Sequence, residues 1–173
     1  MTDLGRISFR PLQRSDFPAV AAWFEQPHIA RWWHESSDLD DIEAKYGPRV
    51  DGGDPTRMWI VEIDWEAAGL AQHYRHEDYP DHDEAVGVEH AVGIDYLLAE
   101  EFVGRGLGPV VLGDFARLAL DGTPGAERCV ATPAQANRAS WTALERAGFR
   151  RRGACRPPDE PIAWMYVLDR ASP

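Results

Sequence analysis

Two short stretches of this chain hold residue types that do chemistry together. Val92-Gly93-Ile94-Asp95-Tyr96-Leu97-Leu98 is an apolar run with one carboxylate, Asp95, in its middle. Shortly after it, Val103-Gly104-Arg105-Gly106-Leu107-Gly108-Pro109 is a glycine-dense turn that opens into a second apolar run. The first reads as a strand and the second as the entry to a helix. Backbone N–H groups at a helix start lack intrahelical partners, and the helix dipole favours an anion there. Glycine lets the backbone approach a ligand without a Cβ in the way. Arg105 adds a cation, and Pro109 suits a first helical turn. Such a passage is built to hold phosphate. Asp95, upstream on the strand, is placed to take a proton from a group held beside that phosphate ligand.

A second constellation, His73-x-x-His76 with His82 and the acids around it, raises a metal site. It falls in a polar segment and matches no standard zinc spacing, so no metal is expected. The two cysteines, Cys129 and Cys155, are far apart in sequence. They supply neither a disulfide framework nor a cysteine zinc site.

The elements that must position these residues follow from periodicity and punctuation. Residues 6–10 alternate as a half-buried strand. Ser15-Asp16 and Pro18 open a helix over 17–26 that buries Val20, Trp23 and Phe24, and Pro27 stops it. Residues 28–33 read as a loop or short turn. A second helix spans 39–46, capped by Asp38 and stopped by Gly47-Pro48. Strands at 59–63 and 68–74 flank a hairpin turn at Asp64-Trp65-Glu66. A polar loop over 76–83 leads to a long strand, 86–98. A helix follows over 106–120, stopped by Gly122, then a strand at 128–131, a helix over 136–147, and strands at 149–154 and 163–168. Hairpins mixed with crossover helices predict an α+β fold.

Composition bounds the class. The chain has 173 residues and 44% hydrophobic content, enough for one domain spanning 1–173 with a proper core. No apolar run is long enough to cross a bilayer, and residues 1–5 carry no signal-peptide pattern, so a cytoplasmic location is expected. The net charge is −11, with Lys45 the one lysine. Glu77, Asp78, Asp81, Asp83, Glu84 and Glu89 crowd one stretch. Such a surface repels nucleic acid and anionic membrane and attracts polycations.

This order of elements, with the glycine turn after the fourth strand, resembles the GNAT superfamily of acetyl-CoA-dependent N-acetyltransferases. Val103 to Gly108 is similar to that family's pyrophosphate loop, with Val103 where the usual pattern starts on Arg or Gln. Asn137 to Phe149, closing in Glu145-Arg146-Ala147-Gly148-Phe149, resembles its late helix motif. A closer resemblance, over most of the chain, is to aminoglycoside 6′-N-acetyltransferases. It is carried by His28-Ile29 with Trp32-Trp33, Asp41 to Tyr46, Gly69-Leu70-Ala71-Gln72, Gly93-Ile94-Asp95 with Leu97-Leu98, and Pro158-Asp159 with Pro161.

The resemblance implies a central mixed, mostly antiparallel sheet flanked by helices and splayed at the fourth and fifth strands. It implies acetyl-CoA as co-substrate, with Arg105, Gly106, Leu107 and Gly108 cradling its pyrophosphate, flanked by Val103, Gly104 and Pro109. Backbone N–H groups of Tyr96, Leu97 or Leu98 would stabilise the oxyanion. Asn137 would hold the pantetheine arm or cap its own helix. Asp95 would act as base on the acceptor ammonium. Trp33, Tyr46, Trp59, Gln72, Glu89, Asp95 and Asp159 are the candidates for a cationic small amine, an aminoglycoside first. Leu144 stands where the family often has a Tyr acid, and Thr132 where the aminoglycoside enzymes have an acidic acceptor contact. The protein would work as a monomer or homodimer. The alternatives are the same transfer to another amine (a protein N-terminus, a polyamine or a siderophore precursor) and a non-catalytic acyl-CoA-binding module.

Overall fold

The computed structural model describes residues 5–171. Seven strands form one sheet in the order β1-β2-β3-β4-β5-β7-β6. In chain order they are β1 (Ile7–Pro11), β2 (Arg57–Ile63), β3 (Glu66–Arg75), β4 (Ala91–Leu98), β5 (Arg128–Ala131), β6 (Arg150–Cys155) and β7 (Ala163–Asp169). The β4–β5 pair is parallel, while β1–β2, β5–β7 and β6–β7 are antiparallel. The helices are α1 (Phe17–Phe24), α2 (Pro27–Trp33), α3 (Leu39–Val50), α4 (Pro80–Val86), α5 (Leu107–Asp121) and α6 (Arg138–Arg146). The expected α+β class and mixed sheet hold. By contacts the chain divides into two compact units: residues 5–72 with Tyr96–Gly108, and His73–Asp95 with residues 109–171.

In the first unit β1 lies antiparallel to β2, pairing Ile7 with Ile63 and Phe9 with Val61. The hairpin to β3 turns on Asp64 and Trp65, both at positive φ (52° and 71°). Two such residues match the twist of the flanking strands. The Asp64 carboxylate accepts the Arg6 N–H at 2.8 Å. Glu66, expected in the turn, already belongs to β3.

Two helices of this unit depart from the sequence reading by more than two residues. Pro27 does not merely stop a helix. It opens α2 over the segment expected as a loop, because a first helical turn has no use for the N–H that proline lacks. Gly47-Pro48 does not end α3, which runs on to Val50. The only bond Pro48 forfeits is to the carbonyl of Ala44, an exposed residue that water can serve. Asp38 caps α3 as expected, accepting from the Asp40 and Asp41 N–H groups.

The second unit carries the larger correction. The polar segment expected as a loop is a 3-10 turn (His76–Asp78) followed by α4, and the long strand starts only at Ala91. Pro80 starts α4, and Gly87 ends it in the left-handed region at φ 65°. Val86 therefore sits in a helix, where it joins Ala91, Val130, Cys155, Ala163 and Val167 in the core.

Gly69 governs how closely β3 approaches the end of β4. A Cβ there would run into the Leu97 carbonyl oxygen, with Leu98 Cα 3.1 Å away. Backbone cannot yield as a flexible side chain can. Gly69→Ala should cost about 2 kcal/mol, in the range of core overpacking. Urea unfolding checks this: an unchanged midpoint at constant m would mean the strands separate freely.

Candidate functional site

Asp95 is half-buried on β4. Gly93 stands two residues earlier, and residues two apart on a strand share a face. A Cβ on Gly93 would fall 2.6 Å from Tyr74 Cζ and 2.9 Å from His76 Nε2, so glycine is what admits these rings against β4. Tyr74 stacks on His76 at 5.9 Å and meets His82 edge-on at 5.7 Å and Tyr79 at 5.4 Å. His76 and His82 are perpendicular at 5.0 Å.

Burial dominates the electrostatics of this cluster, and the charge of Asp95 acts on Tyr74, His82 and Glu160. Desolvation, then the charge of Asp95, raise the Tyr74 phenol well above its ordinary range. Burial, with some repulsion from His82, brings His76 down to about 4. Desolvation also lowers His82, against the pull of Asp95 and Asp83. Glu160 is exposed as a residue, yet the surroundings of its carboxyl and the charge of Asp95 push it up to about 7. A carboxylate among neutral rings, with a second carboxyl that yields to its charge, is suited to hold an ammonium and take its proton.

The glycine turn belongs to the other unit. Gly104 and Gly106 are both at φ 76°, and nothing lies within 4 Å of where a Cβ would stand. Val103, Gly104, Arg105 and Gly106 are exposed, while Leu107 is buried and starts α5. Left-handed residues alternating with an ordinary one turn successive N–H groups toward one side, which makes an anion cradle at the helix start. Arg105 lies over the Phe102 ring at 5.6 Å. The exposed N–H groups and the open space beside the glycines are chemically compatible with a phosphate group. Upstream, His28 Nε2 lies 2.9 Å from the Leu98 carbonyl oxygen, and Ala99 N–H donates to the Ala68 carbonyl. Tyr96 is half-buried and Leu97 buried.

Of the acceptor candidates, Trp33, Tyr46, Trp59 and Gln72 fall in the first unit. Phe24 lies 6.1 Å from both Trp33 and Tyr46. Tyr46 is 1% exposed and packs within the core. Arg49, which sequence reasoning passed over, links this group: its guanidinium lies 5.3 Å over Tyr46, and Nη1 donates to Gln72 Oε1 at 3.0 Å. Trp59 is half-buried on β2. Glu89 and Asp159 belong to the second unit, both exposed; Asp159 is at φ 59° and Glu89 offers its carbonyl to Arg128. Asn137 caps α6, its Oδ1 accepting the Ser140 N–H at 3.3 Å. Leu144 is buried on α6. Tyr166 donates to Glu145 of this helix at 2.7 Å and is raised to about 12, chiefly by burial.

Sequence reasoning also missed Tyr74, His82 and Glu160 as neighbours of Asp95. Pro80 and Gly87 bracketing a seven-residue segment were the signal that His82 stands on a helix. His73, grouped with them by spacing, packs against Phe115 instead. Among the described residues no group of three or more His, Cys, Asp or Glu is arranged to hold a metal ion, and no helix is long and apolar enough to cross a membrane.

Residues 13–156 match the family model described as an acetyltransferase (GNAT) domain. The chain is similar to the aminoglycoside N(6′)-acetyltransferases type 1 of Klebsiella pneumoniae and Serratia marcescens. Each is 27% identical over 173 residues, covering 95% of this chain and 84% of theirs. Among solved structures, the aminoglycoside acetyltransferase AAC(6′)-Ib in complex with coenzyme A and kanamycin is similar with a TM-score of 0.82. That match is 26% identical and covers 95% of each chain.

Proposed function

This chain belongs to the GNAT acetyltransferase family, and on that premise we propose that it transfers acetyl from acetyl-CoA to the 6′-amine of an aminoglycoside. The reading is carried by the similarity of nearly the whole chain to aminoglycoside 6′-acetyltransferases. The residues fit the role. The turn from Val103 to Gly108, with Pro109 in the first turn of α5, supplies N–H groups and Arg105 for a pyrophosphate. Acetyl-CoA brings an activated thioester carbonyl to the site.

Asp95 holds the acceptor ammonium and accepts its proton, which frees the lone pair for direct attack. A backbone N–H of Tyr96, Leu97 or Leu98 stabilises the oxyanion. Leu144 offers no proton to the departing sulfur. A thiol of pKa about 8.5 can leave as thiolate near neutral pH, so the lack of an acid there slows the step without abolishing it. Trp33 and Trp59, with Glu89 and Asp159, serve the acceptor through aromatic faces and carboxylates and Gln72 through its amide, whereas Tyr46, expected to join them, is 1% exposed and serves only by packing. Arg49 sets the position of Tyr46 and Gln72, and Asn137 serves the pantetheine arm only so far as its cap leaves it free.

Thr132, in place of the acid expected from the resemblance, favours one second reading: the same transfer to a different polycationic amine. Thiol release from acetyl-CoA decides between them, with kanamycin as acceptor against a matched aminoglycoside bearing a 6′-hydroxyl. Release with kanamycin alone is expected. Release with neither, in protein that binds acetyl-CoA, would transfer the reading to another amine.

A further inference from the structure

We propose that Gln26 and His28, at the start of α2, are positioning residues for acetyl-CoA: they clasp the segment between the end of β4 and the glycine turn and hold it ready for the coenzyme. The proposal deepens, and rests on, the reading of residues 96–98 and of the turn from Val103 to Gly108 as two contacts of that coenzyme.

The backbone leaves the sheet fully bonded. β4 ends at Leu98. From the Leu98 carbonyl to the Glu100 carbonyl, each polar group finds a partner within the protein. His28 Nε2 donates to the Leu98 carbonyl at 2.9 Å. The Ala99 N–H donates to the Ala68 carbonyl at 2.8 Å, and the Ala99 carbonyl accepts the Phe102 N–H at 2.9 Å. The Glu100 N–H donates to Gln26 Oε1 at 2.8 Å. The Glu100 carbonyl accepts the Val103 N–H at 3.2 Å. Two of these partners are side chains, and they stand two residues apart at one helix start. A carbonyl only accepts, so Nε2 carries the hydrogen in the His28 bond.

Both side chains are committed to this segment and not to their own helix. Gln26 is the N-cap residue of α2, yet its side chain makes no cap bond. Pro27 lacks an N–H, so the helix start has one donor fewer to satisfy. Ile29, 2% exposed, anchors the same turn in the core. Gln26 itself is half-buried and His28 exposed, so the core does not depend on either.

The clasp stiffens what the glycines leave soft. Glycines at φ 76° give the turn its shape but no rigidity of their own. The stretch before it is a 3-10 turn, Glu100–Phe102, closed by the Ala99 and Glu100 carbonyls. With Leu98 and Glu100 gripped from outside, the spacing from the end of β4 to Val103 is set before any ligand arrives. A ligand that meets both ends then loses less free energy to ordering the chain.

The test is coenzyme A binding by the full chain, measured by calorimetry without acceptor, beside steady-state kinetics. His28→Leu and Gln26→Leu each remove one grip, with His28→Ala or Gln26→Ala in place of one that does not fold. His28→Gln keeps an N–H donor, and Gln26→Glu keeps the accepting oxygen. Each Leu variant should bind coenzyme A about fivefold more weakly, the worth of one ordinary hydrogen bond. The KM for acetyl-CoA should rise alike and the acceptor KM should not. The conservative variants should stay within about twofold of the parent. Because both grips hold one segment, the double Leu variant should lose less than the product of the single losses. Leu variants that are folded by urea unfolding and bind coenzyme A like the parent would overturn the proposal, leaving the two residues to dock α2 and nothing more. So would a His28→Gln no better than His28→Leu, or a double loss equal to the product. A parent chain that takes up no coenzyme A would instead overturn the reading of the turn as its cradle, and the clasp with it.

Discussion

Asp95→Asn will fold and bind acetyl-CoA like the parent and will turn over about 10²–10⁴-fold more slowly. Asn has the shape of Asp and keeps hydrogen-bonding capacity on the strand, so β4 and the Gly93 contacts with Tyr74 and His76 have no reason to change. What it lacks is a proton acceptor. An amine that is protonated at pH 7 then reacts only through its small free fraction. The variant's rate should therefore keep climbing with pH toward the amine's own pKa, long after the parent's has levelled. The residue's setting sharpens the effect: the neutral rings around Asp95 leave it the charged group to which Tyr74, His82 and Glu160 all respond. Turnover against pH, with acetyl-CoA affinity measured alongside, checks this. An Asn variant that matches the parent at pH 7 would end the assignment.

His76 should make the protein sensitive to acid in a narrow window. Its folded value is about 4, below the 6.5 it has in an unfolded chain. Between those limits the unfolded state binds the extra proton, so stability is intact above pH 6.5 and drains as the pH falls toward 4. The full gap corresponds to about 3 kcal/mol. Glu160 runs the other way. Raised to about 7 in the fold, its carboxyl favours the folded state increasingly as the pH falls from 7 toward 4.5, by an amount its exposure reduces. The clean measurement is thus a difference. Urea unfolding of the parent and of His76→Phe, which keeps the ring stacked on Tyr74, should diverge by about 3 kcal/mol between pH 7 and pH 4, with the parent the one that loses stability. Parallel curves would mean that His76 charges without cost.

Much of the fold was readable where the signal is local. Asp38 capping α3, Asp64-Trp65 turning the hairpin and Gly104 to Gly108 leading into α5 are all matters of φ and of unpaired N–H groups within a few residues. The failures share a cause. The polarity of 76–83 reads as loop and the segment from Val86 as strand, whereas Pro80 and Gly87 bracket a helix. Pro27 and Pro48 read as breakers, whereas Pro27 stands in the first turn of α2, where its missing N–H costs nothing, and Pro48 forfeits a single bond near the end of α3.

The amino-acid sequence by itself determined the glycine turn, the strand that carries Asp95, the mixed α+β architecture and the acidic surface, because cap chemistry, backbone freedom and periodicity act over a few residues. Tertiary structure alone decided which groups Asp95 answers to. Spacing had joined His73 to His76 and His82; folding turned His73 onto Phe115, sealed His76, left His82 half-buried, and brought the carboxyl of Glu160, 65 residues away along the chain, into the field of Asp95. Burial and charge coupling depend on what lies across a strand and not on what lies next along it, so no local pattern records them.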